Sequence, residues 1–129
     1  MNVTDAMIHK MAWKAPVLDK YATGLLTAAL RLRANGVQFF NNDDVPDFFQ
    51  PGDRTTVGIV FKLLMHERVI TRFHVTIPDA KIFGGMRAST RKENNGHRNQ
   101  LYELTNEGMA REWLERHGVT VEPVQQQLF

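Results

Sequence analysis

Residues 54–70, RTTVGIVFKLLMHERVI, decide how the chain is read. At helical spacing Val57, Val60, Phe61 and Leu64 form an i, i+3, i+4, i+7 set, which predicts a buried face. Thr55, Gly58, Ile59, Lys62 and His66 fall on another side. This second stripe is small near its start, where Gly58 lacks a Cβ, and basic further on. Such a narrow, polar-to-basic stripe has the width that a DNA major groove admits. Val69 and Ile70 end the helix, and residues 69–76 alternate apolar and polar as a strand does.

Working back from this helix, Gln50-Pro51-Gly52 is a turn, and Asp53 or Thr55 is the expected cap. Asn41-Asn42-Asp43-Asp44 is a cluster of capping residues, after which 45–49 reads as a short helix with Pro46 in its first turn. Its acids would repel phosphate. Residues 37–40 are a short extended run. Residues 19–34 are a helix with Leu18, Tyr21, Ala22, Leu25, Ala29 and Leu32 as its stripe, widened by Leu26 and Leu30. Arg31 and Arg33 suit its last turn, and Asn35-Gly36 supplies the stop. So broad an apolar arc is compatible with a homodimer contact. Residues 1–16 form an arm in which Thr4 or Asp5 could cap a short helix, broken before Pro16.

Working forward, residues 78–99 have no periodic pattern. Lys81, Arg87, Arg91, Lys92 and Arg98 make this stretch basic, and Gly84-Gly85 and Asn94-Asn95-Gly96 are turn formers. A loop so long within a compact domain is functional or disordered. Residues 97–104 are the returning strand, with Leu101 and Leu104 inward. Thr105 is the expected cap of a helix to about His117, whose apolar face is Met109, Ala110, Trp113 and Leu114. Residues 119–129 form a polar tail with an apolar end.

The bulk numbers fit one domain. In 129 residues the apolar fraction is 43%, enough for an ordinary core, and the formal net charge is only +2. With a pI near 9.2, charge placement matters more than its total. There is no cysteine, which removes disulfides and zinc-thiolate sites. No apolar run approaches the roughly 18 residues of a membrane span, and no secretory signal is visible, so a cytoplasmic location is expected. The histidines at 9, 66, 74, 97 and 117 are scattered without metal-ligand spacing. No catalytic triad, phosphate loop or paired catalytic carboxylates stand out. Neither an enzyme nor a cofactor or metal site is expected.

Residues 40–45, residues 55–70 and Tyr102-Glu103-Leu104-Thr105-Asn106-Glu107-Gly108 together resemble a winged helix-turn-helix DNA-binding domain. The last segment is similar to the Y-x-L-T-x-x-G that ends the wing in MarR- and PadR-like regulators. The resemblance covers 18–117. It implies an α+β fold: a three-helix core, a wing sheet of two or three strands, and a C-terminal helix. The layout would be an arm at 1–16, the domain at 17–118 and a tail at 119–129. Small phage or prophage proteins often look like this. One departure is that Arg68 stands where the turn out of the recognition helix usually has glycine. Another is the length of the wing.

The resemblance implies a transcriptional or replication-associated regulator that binds double-stranded DNA. Arg54, Thr55, Thr56, Gly58, Ile59 and Lys62 are the expected contacts of the recognition helix. Arg87, Arg91, Lys92, His97 and Arg98 are the expected wing contacts to backbone or minor groove. An alternative is a protein-interaction winged helix, a phage adaptor or inhibitor of host machinery, using Ile59, the acids at 43, 44 and 47, and the tail. Gln125-Gln126-Gln127-Leu128-Phe129 resembles the Q-x-x-L-F peptide that docks replication proteins on the bacterial sliding clamp. Leu128 and Phe129 would fill an apolar pocket while the Gln125 amide bonds at its rim.

Overall fold

A computed structural model describes residues 16–90 and 97–118 of the chain. Among them are three α-helices and two small antiparallel sheets. The first helix, α1, is Pro16–Ala34, three residues longer at its start than the sequence predicts. Proline is tolerated there because a first-turn amide needs no intrahelical acceptor. Leu18, Tyr21, Ala22, Leu25, Leu26, Ala29 and Leu30 are all buried in one cluster. Its breadth comes from two neighbours within the chain, α2 (Arg54–His66) and α3 (Glu107–Arg116). Both contribute to that cluster: Val60, Phe61 and Leu64 from one, Ala110, Trp113 and Leu114 from the other. A second copy of the chain is therefore not needed to cover α1.

Helix α3 is clipped to α1 at both ends. His117 Nδ1 lies 2.6 Å from Asp19 Oδ1, and Arg33 Nε lies 3.6 Å from Glu107 Oε1. The two helices therefore run in opposite directions. Asn106 caps α3 in place of the expected Thr105: its Oδ1 accepts the Met109 amide at 2.8 Å.

The expected short helix at 45–49 is absent. Two single 3-10 turns stand there, Asn42–Asp44 and Asp47–Phe49. Asn41 and Asp44 close a capping box around the first, and Pro46 precedes the second. Pro46 has no amide to carry a helix across from one turn to the other. Phe49 then packs on α1 where a Cβ on Gly24 would lie 2.4 Å from its ring, so only glycine leaves room.

Helix α2 leads directly into β1 (Ile70–Arg72) through Arg68, which has φ 62°. The Arg68 amide donates to the Met65 carbonyl at 3.0 Å and the Val69 amide to the Leu64 carbonyl at 3.0 Å. That pair of bonds is the Schellman closure normally built on glycine. Strand β1 pairs with β4 (Tyr102–Leu104), Ile70 opposite Leu104. Phe40 adds a single bridge on Tyr102, all that forms of a third strand.

The run expected to extend to residue 76 leaves the sheet after Phe73. Residues 74–84 make an excursion, with a 3-10 turn at Pro78–Ala80 and an αL residue, Lys81, after it. The chain returns at Gly85 into β2 (Met86–Ala88), which pairs with β3 (Arg98–Gln100). Gly85 crosses Phe73 so closely that a Cβ would fall 1.8 Å from the Phe73 carbonyl oxygen. A small second core of Phe73, Ile82 and Leu101, with Phe39 and Ile77 against it, holds the excursion down. Thus 78–99 contains ordered structure that no periodicity announced.

Candidate nucleic-acid interface

Asp53 caps α2. Its carboxylate accepts the Thr56 amide at 2.6 Å and the Thr56 hydroxyl at 2.9 Å. These two bonds hold the Asp53 carboxyl below its ordinary pKa, since they are lost when it takes a proton. Thr56 is half-buried with its hydroxyl committed to this cap, so it is not placed as an outward contact. Arg54, Thr55, Gly58, Ile59 and Lys62 are all exposed on the outer side of the helix, Ile59 at 37%. A Cβ built on Gly58 would meet nothing within 4 Å.

The basic stretch is used differently from expectation. Arg87 turns inward: its Nη2 lies 3.3 Å from Asp44 Oδ2 and donates to Asn41 Oδ1 at 3.3 Å. Its guanidinium also sits 5.8 Å from the Phe39 ring centre. With its side chain only 23% exposed, Arg87 fastens β2 to the turn at Asn42–Asp44 and does not reach outward toward phosphate. Ser89 Oγ and the Thr90 amide bond both carboxylate oxygens of Asp43, at 2.9 and 3.1 Å. The acids at 43 and 44, expected to be a free negative end, are thus both engaged internally; Arg87 offsets the charge of Asp44, while Asp43 is held by neutral donors and keeps its charge. Asp47 remains exposed.

His97 and Arg98 are exposed, and Arg98 lies 5.2 Å from the exposed Phe83 ring. Arg91, Lys92, Gln125, Leu128 and Phe129 lie outside the described residues, as does the arm up to residue 15.

An open cleft of about 820 Å³ runs between α2 and the ribbon of strands. It brings Arg54, Gly58 and Lys62 together with Arg72 and Asn99. Arg72 and Asn99 are additions that the sequence did not single out. Arg72 is one exposed cation in an alternating strand, and Asn99 lay in a stretch with no period, so neither carried a signal of its own. Among the described residues there is no cluster of His, Asp and Glu able to hold a metal ion, and no helix long and apolar enough to cross a membrane. The chain matches no protein-family model, no curated protein and no solved structure.

Proposed function

We propose that the chain is a winged-helix protein that binds double-stranded DNA, with α2 as the recognition helix and the ribbon as the wing. The observation that carries this reading is Gly58. A glycine inside an exposed helix costs about 1 kcal/mol relative to alanine. Among the described residues no neighbouring atom requires its bareness. It makes sense where another molecule's surface must approach the helix backbone. Thr55 and Ile59 flank that spot, offering a hydroxyl and a methyl-sized apolar contact suited to phosphate and a thymine methyl. Arg54, Lys62 and Arg72 line the cleft beside it, and Arg98, with Arg91 and Lys92 as read from the sequence, makes the wing segment basic. A role in transcription or replication control follows from such binding.

Duplex mobility shifts at two salt concentrations test this. Lys62→Glu and the double change Arg91→Ala with Lys92→Ala should each weaken binding, and affinity should fall steeply with salt. Unaltered affinity in both variants, or a flat salt response, rejects the reading.

A second reading is favoured by a different observation. Val75, Phe83 and Met86 are all exposed on or beside the excursion, and Ile59 adds an exposed β-branched apolar side chain on α2. These suit a protein surface, as for an adaptor or inhibitor of host machinery, with the tail docking through Leu128 and Phe129 on a sliding clamp. A partner retained in a pull-down after nuclease treatment, and lost on deleting Leu128 and Phe129, supports this alternative.

A further inference from the structure

The cleft beside α2 holds more directed hydrogen-bonding chemistry than a duplex-facing helix uses. Five carboxamides line it: Asn41, Asn42, Gln50, Asn99 and Gln100. Four of them are pinned at one end. Gln100 Nε2 donates to the backbone carbonyls of Phe73 at 2.6 Å, Leu101 at 2.8 Å and Gly85 at 3.3 Å. Gln50 Nε2 donates to the carbonyls of Val45 at 3.1 Å and Asn42 at 3.3 Å. Asn42 Oδ1 accepts the Tyr21 hydroxyl at 2.6 Å. Asn41 is only 3% exposed; its Oδ1 accepts the Asp43 amide, and its Nδ2 has no partner among the described residues. A buried amide nitrogen left so is unfavourable until something accepts from it. An amide pinned at one end presents its other end with little freedom left to lose on binding.

The other walls add two further kinds of chemistry. Tyr102 and Phe61 both line the cleft, their ring centres 4.5 Å apart and tilted by 36°. Lys62 and Arg72 line it as well. Asp47 and Asp53 do too, but Asp53 precedes Lys62 by nine residues, about 13 Å along the helix. An anionic group at Lys62 is therefore remote from the Asp53 carboxylate. The ends left over are of both kinds: Gln50 and Gln100 present acceptor oxygens and Asn42 a donor nitrogen, a set that complements the donors and acceptors along a base edge, while aromatic rings stack on base faces and cations hold phosphate. The space is of the size of small-ligand sites.

We infer that this cleft is a nucleotide site, taking one nucleoside 5′-phosphate unit with its base edge on the carboxamides, its base face against Tyr102 and its phosphate on Lys62 and Arg72. The unit can come from a free mononucleotide or from an unpaired position of a strand. The site shares Lys62 and Arg72 with the duplex reading and goes beyond it, since a free monophosphate can fill the cleft whether or not a duplex binds.

The test is calorimetric titration of the full chain with the four deoxynucleoside 5′-monophosphates and, separately, with single-stranded octanucleotides. Saturable one-to-one binding is expected. Asn99→Ala and Arg72→Ala should each weaken it about tenfold, the effect of losing one directed bond, while Lys81→Ala on the excursion leaves it unchanged. Binding of a monophosphate supports the site with a soluble occupant; binding confined to the octanucleotides supports it with an unpaired strand position. No saturable binding at millimolar concentration in either arm overturns the proposal. So does binding that both cleft variants leave intact. If a variant loses its circular dichroism signature, the amide resonances of Gln100 and Tyr102 in the native chain decide: shifts on saturation support the site, and their absence overturns it.

Discussion

Replacing Arg68 by glycine should make the protein more stable. Arg68 is held at φ 62° by the two closing bonds of the α2 terminus, to Met65 and Leu64. A side chain in that conformation places Cβ against the carbonyl oxygen and costs about 1–2 kcal/mol. Glycine removes this cost but gives up about 0.5–1 kcal/mol to its greater freedom in the unfolded chain. The net gain expected for Arg68→Gly is about 0.5–1 kcal/mol, or about 2–5 °C in Tm for a domain of this size. Urea unfolding followed by circular dichroism measures it, with the midpoint rising and the slope unchanged. Arg68→Ala is the control. It keeps the strained backbone and removes only the exposed guanidinium, so it should stay near the native value. A glycine variant no more stable than the native chain refutes the argument. An alanine variant that gains as much as glycine assigns the effect to charge rather than to backbone.

Other outcomes follow from the same geometry. Gly85→Ala should lose about 3 kcal/mol or more, since its Cβ would collide with the Phe73 carbonyl at 1.8 Å and φ is 78°; chemical unfolding reads this directly. Gly58→Ala should go the other way, gaining about 0.5–1 kcal/mol in thermal unfolding while lowering duplex affinity in the mobility shift; a gain with no loss of affinity would remove the argument made from that residue. Asp53 has a folded pKa below its ordinary value, so its contribution is present above about pH 4 and is lost as pH falls through the lowered pKa. Asp53→Asn keeps an N-cap that cannot titrate, and should flatten the acid limb of a stability-versus-pH curve; an unchanged limb assigns that slope to other carboxylates.

What the sequence determined by itself was the set of elements with strong periods and the faces they bury. Leu18, Tyr21 and Leu25 on α1, Val60, Phe61 and Leu64 on α2, and Trp113 and Leu114 on α3 were legible because a helix repeats every 3.6 residues and its buried stripe must be apolar. The unusual exit at Arg68 was legible too, because the place called for glycine and another residue stood there. Tertiary structure alone decided the rest. Residues 86–88 become a strand because Gly85 crosses Phe73 and because Asp43 and Asp44 seize Ser89, Thr90 and Arg87 across more than forty positions of sequence. Such contacts leave no local period. The same holds for the cleft, where carboxamides from three separate segments converge. Each is an ordinary polar residue in its own neighbourhood, and only the packing of α2 against the ribbon gives them a common direction.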